Sequence, residues 1–284
     1  MPVAIVSDTC HYLPREQAAA NGIHEVSLYV HWGEETVRES DITDYGAFYE
    51  RLRNSTTLPT TSQPSIGDFL AVYEPLLEAG QEIVSIHLAG GMSGTVRSAE
   101  QAREQLGNQA ERVYVIDSAS ACGGQGLVLL AAAAAARDGA DGQAVNDRAI
   151  RAREQLKMWF SIDTLEFLRR GGRIGGAQAW LGSTLKIKPI LTVESQITPV
   201  ERVRTSRRAF ERMVDLLRER ARAGADAWMV QHIQAPAEAE QLVVRGREIF
   251  NNDPVTVSEI GPVIGAHVGP GLLGVGGIPS SFLQ

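Results

Sequence analysis

The chain has 284 residues, 44% of them apolar, enough to bury a large core and more than one small module needs. Its 34 acidic against 27 basic side chains give a net charge of -7, so no overall positive field is present to hold nucleic acid or an anionic membrane. The opening MPVAIVSDTC lacks a basic region and carries an acid at Asp8, and the longest apolar run, Leu127 to Ala136, is half of the roughly 20 residues a membrane-spanning helix requires, so a cytoplasmic protein that is not integral to the membrane is expected.

The first strand is predicted over Val3 to Asp8 and the second over Glu25 to Trp32. Tyr45, Phe48, Tyr49 and Leu52 fall at i, i+3, i+4 and i+7 and predict a helix, as do Ile66, Phe69, Leu70, Tyr73 and Leu77. Strands follow at Glu82 to Ala89 and Arg112 to Ser118, then helices over Leu127 to Arg137 and Gln143 to Leu156. This alternation implies a parallel sheet with helices on both faces and a ligand beyond the carboxyl ends of its strands. The texture changes at KMWFSIDTLEFLRRGGRIGG, which places a boundary between residues 1–156 and 157–284. The second part has strand candidates at Ile187 to Val193, Ile197 to Val203, Ala227 to Gln234 and Val255 to Ile260, with helices over Ser206 to Ala223 and Pro236 to Phe250. Only ES separates its first two strands, so a hairpin and a mixed sheet are expected.

Two hydroxyl-bearing turns stand out. In TTSQPSIGDF, Ser65 followed by Asp68 reads as a capping box, which leaves Thr61 and Ser62 ahead of the cap and free to face outward. In GGMSGT, a strand delivers Gly90, Gly91, Gly94 and the hydroxyls of Ser93 and Thr95 to a crevice position; Ser93 serves either as a helix cap or, with the first turn, as an anion ligand. The Gly-Lys-Ser/Thr ending of a nucleotide-binding loop is missing, since Val96 and Arg97 follow, and GGQG at Gly123 to Gly126 is too short for a dinucleotide fingerprint. GMSGT differs from a nucleophile elbow only at Thr95, so a serine hydrolase is a competing reading, with Ser93 as nucleophile, His267 as base and Asp117 or Asp8 as its orienter. A binder of a phosphorylated metabolite is a third. His267 is the one ionisable group after Glu259 in EIGPVIGAHVGPGLLGVGG. Cys10 and Cys122 read as free thiols, and the histidine spacings predict no metal.

SDT, TTSQPS, MSGT, VIDS, TLEFLRRGGRI, LKIKPIL, ERVRT and GAHVGPG together resemble, in order and rough spacing, the DegV family of bacterial fatty-acid-binding proteins. The resemblance spans nearly the whole chain. It implies two domains, an N-terminal three-layer α/β/α domain with a parallel sheet and a C-terminal two-layer α/β domain with a mixed sheet, with one long-chain fatty acid such as palmitate, stearate or oleate in a tunnel between them. It assigns the acid's carboxylate to Thr61, Ser93 and His267, with Ser62, Gly94 and Thr95 in support, and it implies no cofactor and no catalytic residue. It further implies a partner fatty acid kinase that phosphorylates the bound acid, facing Arg170, Arg173 and Arg202, with a monomeric carrier as the default. Departures from the family pattern are Ala89 and Gly90 before the SGT turn, Val96 after it, and Gly175 after GGRI.

Overall fold

In the computed structural model, which describes residues 1–181 and 187–284, the elements in chain order are β1 (Val3–Asp8), α1 (Arg15–Ala20), β2 (Ile23–Val26), β3 (Tyr29–Trp32), β4 (Glu35–Arg38), α2 (Tyr45–Asn54), β5 (Thr60–Ser62), α3 (Ile66–Glu78), β6 (Glu82–His87), α4 (Thr95–Gln105), β7 (Val113–Asp117), α5 (Cys122–Arg137) and α6 (Gly142–Gln155). They continue with β8 (Lys157–Ser161), α7 (Glu166–Arg170), β9 (Lys188–Glu194), β10 (Gln196–Val203), α8 (Ser206–Arg222), β11 (Ala227–His232), α9 (Pro236–Phe250), β12 (Thr256–Glu259), α10 (Pro262–Val268) and β13 (Leu273–Ile278). Leu185 and Lys186 of the LKIKPIL motif lie outside the described residues.

The first sheet is parallel, in the order β2-β1-β6-β7. Its strands are apolar on both faces, and the two-residue period sorts them. Ala4, Val6 and Ile83 pack under α3 and α4 with Phe69, Tyr73 and Ala99, while Ile5, Val84 and Ile86 join α5 and α6 on the other side. This is the expected three-layer α/β/α arrangement. The second sheet is mixed, in the order β10-β9-β8-β13-β11-β12, with β11 and β12 as its parallel pair. The β9–β10 hairpin turns at Ser195, which adopts a positive φ of 64°. One face of this sheet carries α8 and α9, packed through Met213, Leu217, Leu242 and Trp228. Its other face, including Met158, Phe160, Leu191 and Met229, shares a continuous apolar core with α5 and the first sheet.

The structure departs from the sequence expectation in three places that shape the site. The strand expected over Glu25 to Trp32 is broken at Ser27 and Leu28: β2 stays in the parallel sheet, whereas β3 leaves it for a small antiparallel sheet, β4-β3-β5. An unbroken alternation hid the break, because Val26, Leu28 and Val30 are all buried, although Val26 and Val30 belong to different sheets and Leu28 lies between them. Thr61 and Ser62 are on β5, with Thr61 opposite Val30, and are not free loop residues. Finally, the Gly-rich stretches form regular structure. Gly123, Gly124 and Gly126 are in the first turns of α5, where a Cβ at Gly123 would lie 2.7 Å from Met229 Sδ and one at Gly126 2.9 Å from Leu13 Cδ2. Gly274, Gly276 and Gly277 form half of β13, buried between β8 and β11. Close approach of neighbours selects glycine at Gly123, Gly126, Gly276 and Gly277 against its low propensity.

No helix among the described residues is long and apolar enough to cross a membrane. The capping box at Ser65 is formed: Ser65 Oγ accepts from the Asp68 N–H at 3.1 Å and Asp68 Oδ2 accepts from the Ser65 N–H at 2.9 Å. Since this cap fixes the entry into α3 directly after β5, Ser65→Ala is expected to lower unfolding stability by about 1 kcal/mol, read from the urea midpoint at unchanged m-value.

Candidate functional site

A pocket with some 860 Å³ of space between its wall atoms, counting the part open at its mouth, lies between the inner face of the mixed sheet and the carboxyl-end loops of the parallel one. Its walls are apolar, with Leu88, Met158, Phe160, Val193 and Met229 among them, and its polar groups are Thr61, Ser62, Gln63, Ser93, Arg173, Gln231 and His267. Four elements distant in sequence supply the polar end. Strand β5 brings Thr61, the turn after β6 brings Ser93, the segment after α7 brings Arg173, and α10 brings His267.

His267 Nε2 is 2.8 Å from Thr61 Oγ1. Its Nδ1 is buried without a hydrogen-bond partner and faces the backbone of Gly171, where a Cβ would collide with it. With no acceptor at Nδ1, the ring proton of the neutral imidazole belongs on Nε2 and is donated to Thr61. The Thr61 hydroxyl hydrogen is then free to point into the pocket. Ser93 repeats this arrangement: its Oγ accepts from the Thr95 N–H at 3.3 Å and is 2.8 Å from the Thr95 Oγ1. With Thr95 Oγ1 donating, Ser93 also directs its hydrogen outward. Ser62 Oγ is 2.8 Å from His31 Nε2, which steadies the next residue of β5.

Burial, reinforced by the positive charge of Arg173, pushes the His267 pKa down from 6.5 to about 4, so the imidazole is neutral at neutral pH. Arg173 is exposed, lines the pocket, and donates from Nε to the Met92 carbonyl at 3.3 Å and from Nη1 to the Gly171 carbonyl at 2.8 Å. The other two sequence-predicted arginines are exposed and outside the lining: Arg170 pairs with Glu166 at 2.7 Å, and the Arg202 guanidinium lies 5.4 Å from the centre of the Trp180 ring.

The glycines of the GGMSGT turn make room for protein neighbours. A Cβ at Gly91 would collide with the Ser195 carbonyl at the tip of the β9–β10 hairpin, one at Gly90 would lie 2.9 Å from Asp117 Oδ2, and one at Gly94 2.7 Å from Gln63 Nε2. Ser93 does not cap α4, whose N-cap is Gly94.

The hydrolase reading is corrected by the same geometry. Asp117 accepts from the N–H groups of Gly90 and Ala119, and Asp8 is committed to His87, so neither orients His267, whose ring bonds Thr61 and not Ser93. A Ser–His–Asp line does exist elsewhere, with Ser85 Oγ 2.7 Å from His87 Nε2 and His87 Nδ1 3.1 Å from Asp8 Oδ2, but all three residues are 0% exposed. Although burial opposes it, Asp8 keeps a carboxyl below the usual range through its contacts with His87 and the N–H groups of Leu88 and Cys10. This line ties β1 to β6 and has no access to substrate.

Sequence reasoning missed Gly171, Gln63 and the pocket-facing place of Arg173. The GG of RRGGRI carried the signal: Gly171 seats the histidine and Gly172 adopts a positive φ of 68°.

Two outcomes test this geometry. Gly171→Ala is expected to displace the imidazole and disrupt the Thr61–His267 bond, seen as a changed His267 ring resonance with little change in far-UV circular dichroism. The His267 pKa in the fold lies below that of the unfolded chain, so its contribution to stability is complete above pH 6.5 and is lost as pH falls towards 4. Between those values the urea midpoint of His267→Gln is expected to fall less steeply than that of the wild type.

The family model described as "Uncharacterised protein, DegV family" matches residues 2–280. Protein DegV of Bacillus subtilis is 37% identical over 281 residues, covering 97% of this chain and 98% of that one. The crystal structure of DegV, a fatty acid binding protein from Bacillus subtilis, superposes with a TM-score of 0.89 at 36% identity, covering 98% of this chain and 99% of that one. A DegV family protein from Thermus thermophilus, solved for its fatty acid binding, has a TM-score of 0.88 at 33% identity and covers 98% and 100%.

Proposed function

The chain belongs to the DegV family, and we propose that it is a non-enzymatic carrier that holds one long-chain fatty acid, such as palmitate, stearate or oleate, in the pocket between its two lobes, residues 1–156 and 157–284. The observation that carries this reading is the division of the pocket: apolar walls over most of its surface, and the hydroxyls of Thr61 and Ser93 together at one end.

An acyl tail of about 15 methylenes, at about 0.8 kcal/mol each, contributes on the order of 12 kcal/mol before the entropic costs of binding. The tail therefore sets affinity and the head sets orientation. A carboxylate in such a place needs donors and a countercharge. Thr61 and Ser93 donate, and Arg173 supplies the positive charge that neutral His267 does not, while His267 fixes the Thr61 hydroxyl. Ser62, Gly94 and Thr95 hold the two turns in shape. In the same reading the head group, beside the exposed Arg173, is presented in the cytoplasm to a partner fatty acid kinase, with Arg170 and Arg202 on the approach; their exposure supports that role.

The purified protein is expected to release a stoichiometric fatty acid on denaturation and solvent extraction, identified by mass spectrometry, and the delipidated, refolded protein to rebind it. Thr61→Val and Ser93→Ala should each weaken rebinding by about 1 to 3 kcal/mol. Arg173→Gln should weaken binding of the acid more than of its methyl ester, most of all at low salt. Refolded protein that rebinds no acyl chain would overturn the reading.

A further inference from the structure

We infer that Glu39 is a positioning residue for the head-group end of the pocket: from the other end of the chain, its buried carboxylate caps the helix that carries His267. Helix α10 has no side-chain cap of its own, since its N-cap is Gly261 and its first residue Pro262. Its first intrahelical bond runs from the Gly265 N–H to the Gly261 carbonyl, which leaves the N–H groups of Val263 and Ile264 to be satisfied from outside. The Val263 N–H donates to Glu39 Oε1 at 2.8 Å, and the Ile264 N–H donates to Tyr12 Oη at 3.2 Å. Tyr12 Oη in turn donates to Glu39 Oε1 at 2.7 Å, and Thr9 Oγ1 donates to Glu39 Oε2.

Glu39 is 2% exposed and forms no ion pair with Lys, Arg or His among the described residues. Burial pushes its carboxyl above the usual range. A lone buried acid is costly to keep, and the positive end of α10 is what it faces. The carboxylate is itself held, because Glu39 follows β4 and its N–H donates to the Leu28 carbonyl at 2.9 Å. His267 is one helical turn beyond Val263 on the same short helix. Whatever fixes the first turn therefore fixes the ring that orients Thr61.

The test uses the full delipidated chain with Glu39→Leu, Tyr12→Phe and Glu39→Gln, and has two readouts. The first, in the ligand-free protein, is the imidazole nitrogen and proton resonances of His267, assigned by their loss in His267→Gln. The second, which rests on the fatty-acid reading, is the affinity for palmitate relative to methyl palmitate. Glu39→Leu and Tyr12→Phe are expected to shift the His267 resonances and reduce the preference for the acid about tenfold, as for loss of one well-placed hydrogen bond to a charged group. Glu39→Gln keeps a carbonyl acceptor for the Val263 N–H and should retain most of the preference. Unmoved resonances and an unchanged preference in folded Glu39→Leu and Tyr12→Phe would sink the inference, and if Glu39→Leu does not fold, Tyr12→Phe decides. A wild type that binds neither compound overturns the fatty-acid reading, and the resonances still decide the role of Glu39.

Discussion

The hydrogen bond between Thr61 and His267 spans 206 residues of sequence and constrains the polar end of the pocket. It requires β5 to pair with β3, so that Thr61 has a fixed backbone, and α10 to dock where its last turn meets β5. Helix α10 belongs by sequence to the C-terminal part, yet it packs on α2 of the N-terminal part, where Tyr49 Oη donates to the Ile260 carbonyl at 2.7 Å. The pocket thus depends on an element that, late in sequence, packs on α2 and β5 from the start of the chain. Its wall residues Val263 and Val268 and its histidine, His267, arrive together on one short helix.

Periodicity made the long elements legible. The strands β1, β6 and β7 are unbroken apolar runs between helical stripes, and α3 announces its start through Ser65 and Asp68. What stayed hidden was either short or made of glycine. Strands β3, β4 and β5 have too few residues for a period to show, and β13 is half glycine, with Met158 and Met229 crowding Gly276 and the Ala227 carbonyl crowding Gly277. Helix α10 carried signals that went unused, Pro262 at its first position and Gly269 just past its end, because the surrounding glycines suggested an irregular segment. That Thr61, Ser93 and His267 line one pocket was expected from the family resemblance combined with the chemistry of hydroxyls at helix starts. Glu39 was not, since a single acid in a polar stretch is indistinguishable from a solvated one until its burial is seen.

The contrast between the two histidine clusters favours the proposed carrier over the hydrolase reading. His87 has a carboxylate on one nitrogen and a serine on the other, the arrangement that would stabilise an imidazolium during acyl transfer, but it is sealed in the core. His267 borders the pocket and has no carboxylate, and burial beside Arg173 holds its pKa near 4. A base with so low a pKa has little capacity to take a proton from Ser93 at neutral pH. As a donor to Thr61 it needs only to stay neutral and stay in place. The low pKa, a defect in a general base, keeps the ring neutral over the whole physiological range, which suits the binding role proposed for it.

That division of labour also accounts for the position of the positive charge. A protonated histidine deep in the site would bind a carboxylate tightly but change charge with small pH shifts. Arg173 stands instead at the solvent side, held by the carbonyls of Met92 and Gly171. Gly171 therefore serves both groups, seating the His267 ring against its backbone and anchoring the arginine through its carbonyl. Any movement of the α7 end shifts His267 and Arg173 together, so in the proposed site substitutions of the two are expected to be non-additive.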